Sequence, residues 1–484
     1  MISLLLAFVP LLCAVATIVI FRQSALRAGL VGLGASVVII LAWPVYHIDV
    51  ATSMASLSVA ASNLLNISLV LFGGVLLYRV LDTSGALATI ADGIVELIRE
   101  PVHQVFALVF GAAVFFESAT GFGVGIVVVA PLFIALGYTP IQAGVLALLG
   151  QCAVPWGALS IGTVIGEELS GVPLATLGAQ SALYTLPVAL IFGFVALRTA
   201  NLFSAKAMWL LFAYAFLLSF LLLICTVLLG VELAGCVAGL LVLLTAIVVS
   251  SRSSTTSNKP VPDYKAFLPF IVLLLALCIS RLVSPVSDFL NAIETSLPGG
   301  NKIAPFYHAG FYLTIAAIAG LLLFPEAQRN FKSLSRQAFH QWLTATLAIG
   351  GFILLGQLML ASGMTTQIAS SLVAGLSEHY IFVVPFIGAL GGFLTASNAA
   401  SNALFMVLQT EAAIDLDLPV DVVASAQNAS GSNVTLASPG RLVFAATVVG
   451  QAGAESILLS KVALATIAGV VSASIVAWCM VLIS

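Results

Sequence analysis

The sequence predicts an all-α polytopic membrane protein, built from two inverted-topology repeats with re-entrant hairpins and broken helices, set among scaffold helices. Three observations predict it. Long apolar runs recur along a chain of 484 residues that is 61% hydrophobic and 7% charged. Two distant segments match each other residue by residue. Polar, glycine-rich stretches interrupt the apolar sequence at corresponding places in both.

The apolar runs come first. Mean hydropathy is +1.19, and ordinary globular domains carry roughly 25% charged residues, so a soluble fold is excluded. Runs at 2–21, 28–45, 65–77, 209–229, 233–250, 267–280, 310–324, 342–361 and 462–483 mostly approach or reach the roughly 20 residues that span a bilayer. They are continuous and do not alternate, which excludes a β-barrel. The first run lacks a basic leader and is followed by Arg22 and Arg27, so it reads as a retained helix and not a signal peptide. The net charge is −3, without a basic tract, so nucleic acid is not an expected partner. The six cysteines lie in apolar runs without paired spacing and read as small core residues. The longest polar stretches, 250–265 and 284–308, leave no room for an extramembrane domain.

Basic residues set the threading, because Lys and Arg concentrate on the cytoplasmic side. Arg22 and Arg27, then Arg79 and Arg99, Arg198 and Lys206, Arg252 to Lys265, and Arg329 to Arg336 fall on one side in a single consistent path. Both termini are then expected outside.

The repeat follows. Ser84-Gly85-Ala86-Leu87-Ala88-Thr89-Ile90-Ala91 resembles Ser362-Gly363-Met364-Thr365-Thr366-Gln367-Ile368-Ala369. The register holds onward, with Phe115–Gly121 falling on Phe393–Ala399, Pro140 beside Pro419 and Gln151 beside Asn428. In the threading above, one copy opens outside to inside and the other inside to outside. The expected organisation is N-terminal scaffold helices over 1–66, repeat one over 67–200 with a hairpin near 117–125, linking helices over 201–344, and repeat two over 345–484 with a hairpin near 395–402. Internal repeats in a wholly membranous chain are the mark of a secondary transporter.

The interruptions locate the binding centre. Glu117–Gly125 follows an apolar segment, 105–116, too short to span alone, and 395–402 follows the similarly short 380–394. Gly, Ser and Asn at membrane depth signal unwound backbone, tolerated only where it lines protein or a wet cavity. Interrupted segments at matching places in two halves point to the transport site. Half-helix N-termini there suit a carboxylate. The candidate anion site is Ser118, Gly121, Gly123, Thr395, Ser397, Asn398, Ser401, Asn402, Asn428, Ser430 and Arg441. A lone Ser or Gly in such places is ordinary packing glue between helices; four clusters in correspondence are not. Glu117 is the deepest acid and the candidate proton carrier. The rival role is a hairpin staple fixed by neighbouring backbone N–H groups. Arg441 is the deepest cation, and it clamps a carboxylate bidentately, pairs with Glu117, or snorkels to an interface. His47, His103, His308, His340 and His379 fall at span ends and read as interfacial. No metal site, cofactor or catalytic constellation is expected.

At these residues the chain resembles the lactate permease family. The match lies in Glu117–Gly123 with Ala130-Pro131, and more specifically in Thr395, Ser397, Ser401-Asn402-Ala403-Leu404-Phe405 and Leu408-Gln409. It continues through 426–431, Ser438-Pro439, 445–450 and Glu455-Ser456. The resemblance implies import of a small 2-hydroxy-monocarboxylate such as L-lactate or glycolate, by proton symport, across the bacterial cytoplasmic membrane. It also implies an elevator-type transporter, related to carriers that are commonly homodimers. Three positions depart from the family pattern: Val124-Gly125 stands where Ala-Pro is usual, Asn398 lies near a usual aspartate, and Gly440-Arg441 follows Ser438-Pro439 in place of Gln. Losing an acid and gaining an arginine both favour an anionic ligand. The rival functions are a sodium-coupled transporter of another small organic anion, a passive anion facilitator or channel, and a membrane-embedded enzyme.

Overall fold

The computed structural model describes residues 2–21, 23–121, 123–251, 264–297, 302–376, 379–451 and 453–483. Arg22 and Arg252, named above, and Phe122 and Lys259, within ranges given above, lie outside the described residues. The described chain is almost wholly helical. Nine of its helices are long and apolar enough to cross a membrane, and ten if one bent pair counts as a single span.

The N-terminal helices are α1 (Ile2–Val19) and α2 (Ala25–Ala42). The Ser24 hydroxyl accepts the Arg27 N–H and caps α2, satisfying one of the orphan first-turn donors. Asp49 does the same for the 34-residue α3 (Val50–Thr83), accepting from Thr52 at 2.7 Å. Gly85, at φ +74°, ends this helix and starts α4 (Ala86–Leu97).

The first hairpin limb is longer than the sequence suggested. α5 (Pro101–Phe106), a π-helical turn (Ala107–Ala112) and α6 (Ala113–Thr120) form one 20-residue run. Pro101 at the first helical position starts it, with the Glu100 carboxylate accepting the His103 N–H. The chain reverses at Gly121 and returns as α7 (Val124–Ala135). α8 (Pro140–Leu149) opens on a Thr139/Gln142 capping box. A 3₁₀ turn (Val154–Trp156) and a 70° bend separate it from α9 (Gly157–Ser170). Within α9, Ala158, Leu159 and Ser160 all have left-handed φ, between 50° and 63°. α10 (Leu174–Thr199) follows.

The linking helices are α11 (Ala205–Leu229), α12 (Val231–Ser251), α13 (Leu268–Leu282), the short surface helix α14 (Ser284–Ala292) and α15 (Ala309–Leu323). Two-residue strands β1 (Thr295–Ser296) and β2 (Lys302–Ile303) pair antiparallel between α14 and α15. The short α16 (Pro325–Arg329) leads into α17 (Phe331–Ala361). Small residues allow close crossings here: α3 and α15 meet where Gly73 faces the Gly310 carbonyl.

After α17 come α18 (Met364–Leu376), α19 (Tyr380–Thr395) and α20 (Asn398–Asp415), the last capped by the Ser397 hydroxyl accepting from Ala400. Between α19 and α20 the chain turns at Ala396, φ +57°. α21 (Val420–Val434) ends in a 3₁₀ turn (Thr435–Ala437), and the Ser438 hydroxyl caps α22 (Pro439–Val448) by accepting from Arg441. α23 (Glu455–Val481) completes the chain.

His103 lies in the first turn of the Pro101–Thr120 span and is 8% exposed, with Nδ1 2.7 Å from the Tyr214 hydroxyl on α11.

Candidate functional site

The two reversals, α6–α7 and α19–α20, approach each other at the break in α9, and α22 closes the side. A cavity of about 400 Å³ lies there, within the ordinary range of about 300–1,000 Å³ for small-ligand pockets. Its wall includes Glu117 and Gly121 of the first reversal, Thr395 to Ala400 of the second, Val154, Gly157, Ala158, Ile161 and Gly162 of the break, and Arg441. The start of α2 and residues 344–349 of α17 form the far side.

The strongest interaction in the cavity joins Arg441 to Glu117. Arg441 Nη2 donates to Glu117 Oε1 at 2.9 Å, with side chains 11% and 4% exposed. Arg441 Nη1 donates to Gln151 Oε1 at 3.1 Å. Glu117 also accepts the Gly123 and Gly125 N–H groups, at 3.3 and 3.4 Å. It therefore staples the reversal by capping α7 and at the same time pairs with a cation from the other half of the chain. Gly123 is what lets the arginine in. Its φ is +80°, and a Cβ there would fall 2.8 Å from Arg441 Nη1.

Of the residues singled out in the sequence, Glu117, Gly121, Thr395, Ser397, Asn398 and Arg441 line the cavity. Gly123 packs beneath Arg441. Ser118, Ser401, Asn402, Asn428 and Ser430 are all buried behind the wall. Ser401 donates to the Gly388 carbonyl and Ser430 to that of Ala426. Thr395 donates back to Gly391. Ser118 Oγ has no partner among the described residues and sits against Trp156 and Gly235.

Behind Asn398 lies an amide network. Asn428 Oδ1 accepts from Asn398 Nδ2 and Asn402 Nδ2, each at 2.8 Å. Asn402 Nδ2 also donates to the Gly162 carbonyl on α9. Asn428 Nδ2 donates to Thr163 and Ser181, at 3.1 and 2.9 Å. Such a network ties the second hairpin to α9 and α10. Gln151 was absent from the candidate set although it holds Arg441; its correspondence with Asn428 in the repeat register was the available signal.

A second cavity, of about 380 Å³, lies beyond the break. Leu159, Glu167, Glu168, Glu232, Arg281 and Lys302 line it, and Ile161 is common to both cavities. Arg281 forms a two-pronged pair with Glu232 at 3.0 and 3.1 Å. Among the described residues, no three His, Cys, Asp or Glu side chains are arranged to hold a metal ion.

Comparison with known proteins places the chain. The family described as L-lactate permease matches residues 3–297 and 261–484. The L-lactate permease of Streptococcus iniae is 24% identical over 441 residues, covering 86% of this chain and 92% of its own. Glycolate permease GlcA of Escherichia coli K12 is 23% identical over 515 residues, covering 94% and 91%. Among solved structures, the Alcanivorax borkumensis YdaH transporter aligns over 87% of each chain with TM-score 0.48 and 14% identity.

Proposed function

Since this chain belongs to the L-lactate permease family, and is therefore a multi-pass membrane transporter and not an enzyme, we propose that it imports a small 2-hydroxy-monocarboxylate together with one proton. The observation that carries the reading is the Glu117–Arg441 pair facing the cavity at the meeting of both reversals. Empty, the pair is neutral. An arriving carboxylate competes with Glu117 for the guanidinium and for the first-turn N–H groups of α20, which have no intrahelical acceptor. Transfer of a proton to Glu117 removes the competing charge and releases Arg441 to the substrate. The loaded centre is then again neutral, which lowers the cost of carrying it through a low-dielectric interior. Glu117 acts as staple when charged and as carrier when protonated, so the two roles considered for it become alternate states of one group.

The same reading includes an inverted repeat moving as an elevator against the scaffold helices, with both termini outside the bacterial cytoplasmic membrane. Supporting it is the order of elements. A long helix, a left-handed glycine, a short helix, a hairpin, a helix opening on proline or the residue after one, a 3₁₀ break and a closing long helix occur from α3 to α10 and again from α17 to α23. The test is uptake of labelled L-lactate into proteoliposomes with an inward proton gradient. Protonophore-sensitive accumulation is expected, with Glu117→Gln abolishing accumulation while retaining lactate exchange. Accumulation by Glu117→Gln equal to wild type would remove Glu117 from coupling.

A further inference from the structure

One buried oxygen in the cavity wall lacks a donor. Asn398 is 5% exposed, lines the cavity, and its Oδ1 has no hydrogen-bond partner among the described residues. A buried acceptor left unmade is costly, so its orientation needs a cause.

The amide network supplies one, starting from a backbone carbonyl. The Gly162 carbonyl can only accept, so Asn402 must present its Nδ2 to it. That same Nδ2 donates to Asn428, which fixes the Asn428 oxygen on this side. The Asn428 oxygen in turn requires a donor from Asn398, so Nδ2 of Asn398 is committed inward. Asn428 Nδ2 is engaged by Thr163, whose own hydroxyl donates to the Pro155 carbonyl at 2.6 Å. Flipping Asn398 would set two amide oxygens against each other. Gly162 permits this packing, since a Cβ there would meet Asn398 Cγ at 2.8 Å. Oδ1 is thereby locked as an acceptor on the edge of the amide turned from the network.

An anion's carboxylate cannot satisfy that oxygen, because it only accepts. A hydroxyl can. We propose that Asn398 is the residue that reads the 2-hydroxyl of the substrate, accepting its hydrogen bond through Oδ1 while Arg441 holds the carboxylate. Asn402 and Asn428 are positioning residues that keep the acceptor free of the network. This rests on the cavity being the monocarboxylate site. It adds a selection rule: lactate and glycolate carry the needed donor, whereas propionate, acetate and pyruvate do not.

The experiment is competition against labelled L-lactate uptake in proteoliposomes of the full chain. Propionate differs from lactate, and acetate from glycolate, by the hydroxyl alone. In the wild type, each hydroxy acid should compete at least about tenfold better than its deoxy partner, because a buried polar group left unpaired rejects the analogue. In Asn398→Ala the two should compete within about threefold of each other, through loss of the hydroxy acid's advantage. Equal competition by lactate and propionate in the wild type overturns the assignment, with an ordered water then the partner of Oδ1. Uptake of neither acid overturns the reading of the cavity itself, and the assignment with it. Should Asn398→Ala not fold, Asn398→Ser withdraws Oδ1 while keeping a small polar side chain, and wild-type discrimination retained in either folded variant overturns the assignment.

Discussion

Replacing Arg441 with glutamine removes the short partner of Glu117 and leaves its carboxylate buried. The guanidinium lies at 2.9 Å, whereas the Gly123 and Gly125 amides lie at 3.3 and 3.4 Å, beyond the usual range for N–H···O bonds. With the side chain 4% exposed, water has little access to replace the lost donor. Breaking a buried ion pair from one side costs about 3–5 kcal/mol, or roughly two to four decades in the population of the intact site. Glu117→Gln breaks the same pair from the other side. The double variant Glu117→Gln/Arg441→Gln leaves no unpaired charge, so its cost should fall below the sum of the singles by about 0.5–3 kcal/mol, as for contacting residues generally. The assay is thermal unfolding of the purified proteins in detergent, read beside lactate exchange. Each single variant should unfold at lower temperature than wild type, with partial recovery in the double. Arg441→Gln with wild-type unfolding and wild-type accumulation would refute the reasoning, since the pair would then carry neither structure nor coupling.

Gly123→Ala places a Cβ 2.8 Å from Arg441 Nη1 and 2.9 Å from the Phe444 ring at φ +80°, so accumulation should be lost. Gly137→Ala, equally left-handed at φ +89° but facing open space, should pay only the backbone strain of about 1–3 kcal/mol; identical transport in the two variants would show that the clash is immaterial. Arg281→Gln breaks the Glu232 pair outside the first cavity, where the arginine side chain is 7% exposed. It should lower the unfolding temperature, at a cost of about 3–5 kcal/mol, while leaving the half-saturating lactate concentration within twofold or so of wild type; a large shift in that concentration would argue against the site. One proton per monoanion moves no net charge, so lactate uptake should be insensitive to a potassium diffusion potential set with valinomycin, and a strong dependence on the sign of that potential would exclude the proposed stoichiometry.

Much of the candidate site is legible in the sequence because the membrane makes polarity conspicuous. Glu117, Arg441 and the residues 395–398 stand out in apolar surroundings, and all lie at the cavity. What sequence could not give was depth within the wall. Asn398, Asn402 and Asn428 are chemically alike, yet only the first faces the cavity; the other two are buried behind it by the pairing of α20 with α9. The left-handed stretch Ala158–Ser160 carried no signal either, since none of the three is glycine and the tertiary fit alone imposes the conformation. The sequence starts the first limb too late because 101–104 includes His and Gln, which the helix tolerates through the Glu100 cap and the Tyr214 contact. The pairing of Arg441 with Glu117 was one of three readings that spacing left open.

Ile161 borders both cavities. An energised membrane is a charged capacitor, and every protein embedded in it is part of the dielectric. Where two hollows share one aliphatic side chain, that side chain is part of the insulation between them. Neither Glu117 nor Arg441 contributes to this function; it is met by four carbons that exclude water. Trimming Ile161 to alanine would thin the partition without touching the ion pair, and a substrate-independent proton leak into proteoliposomes is the outcome to look for.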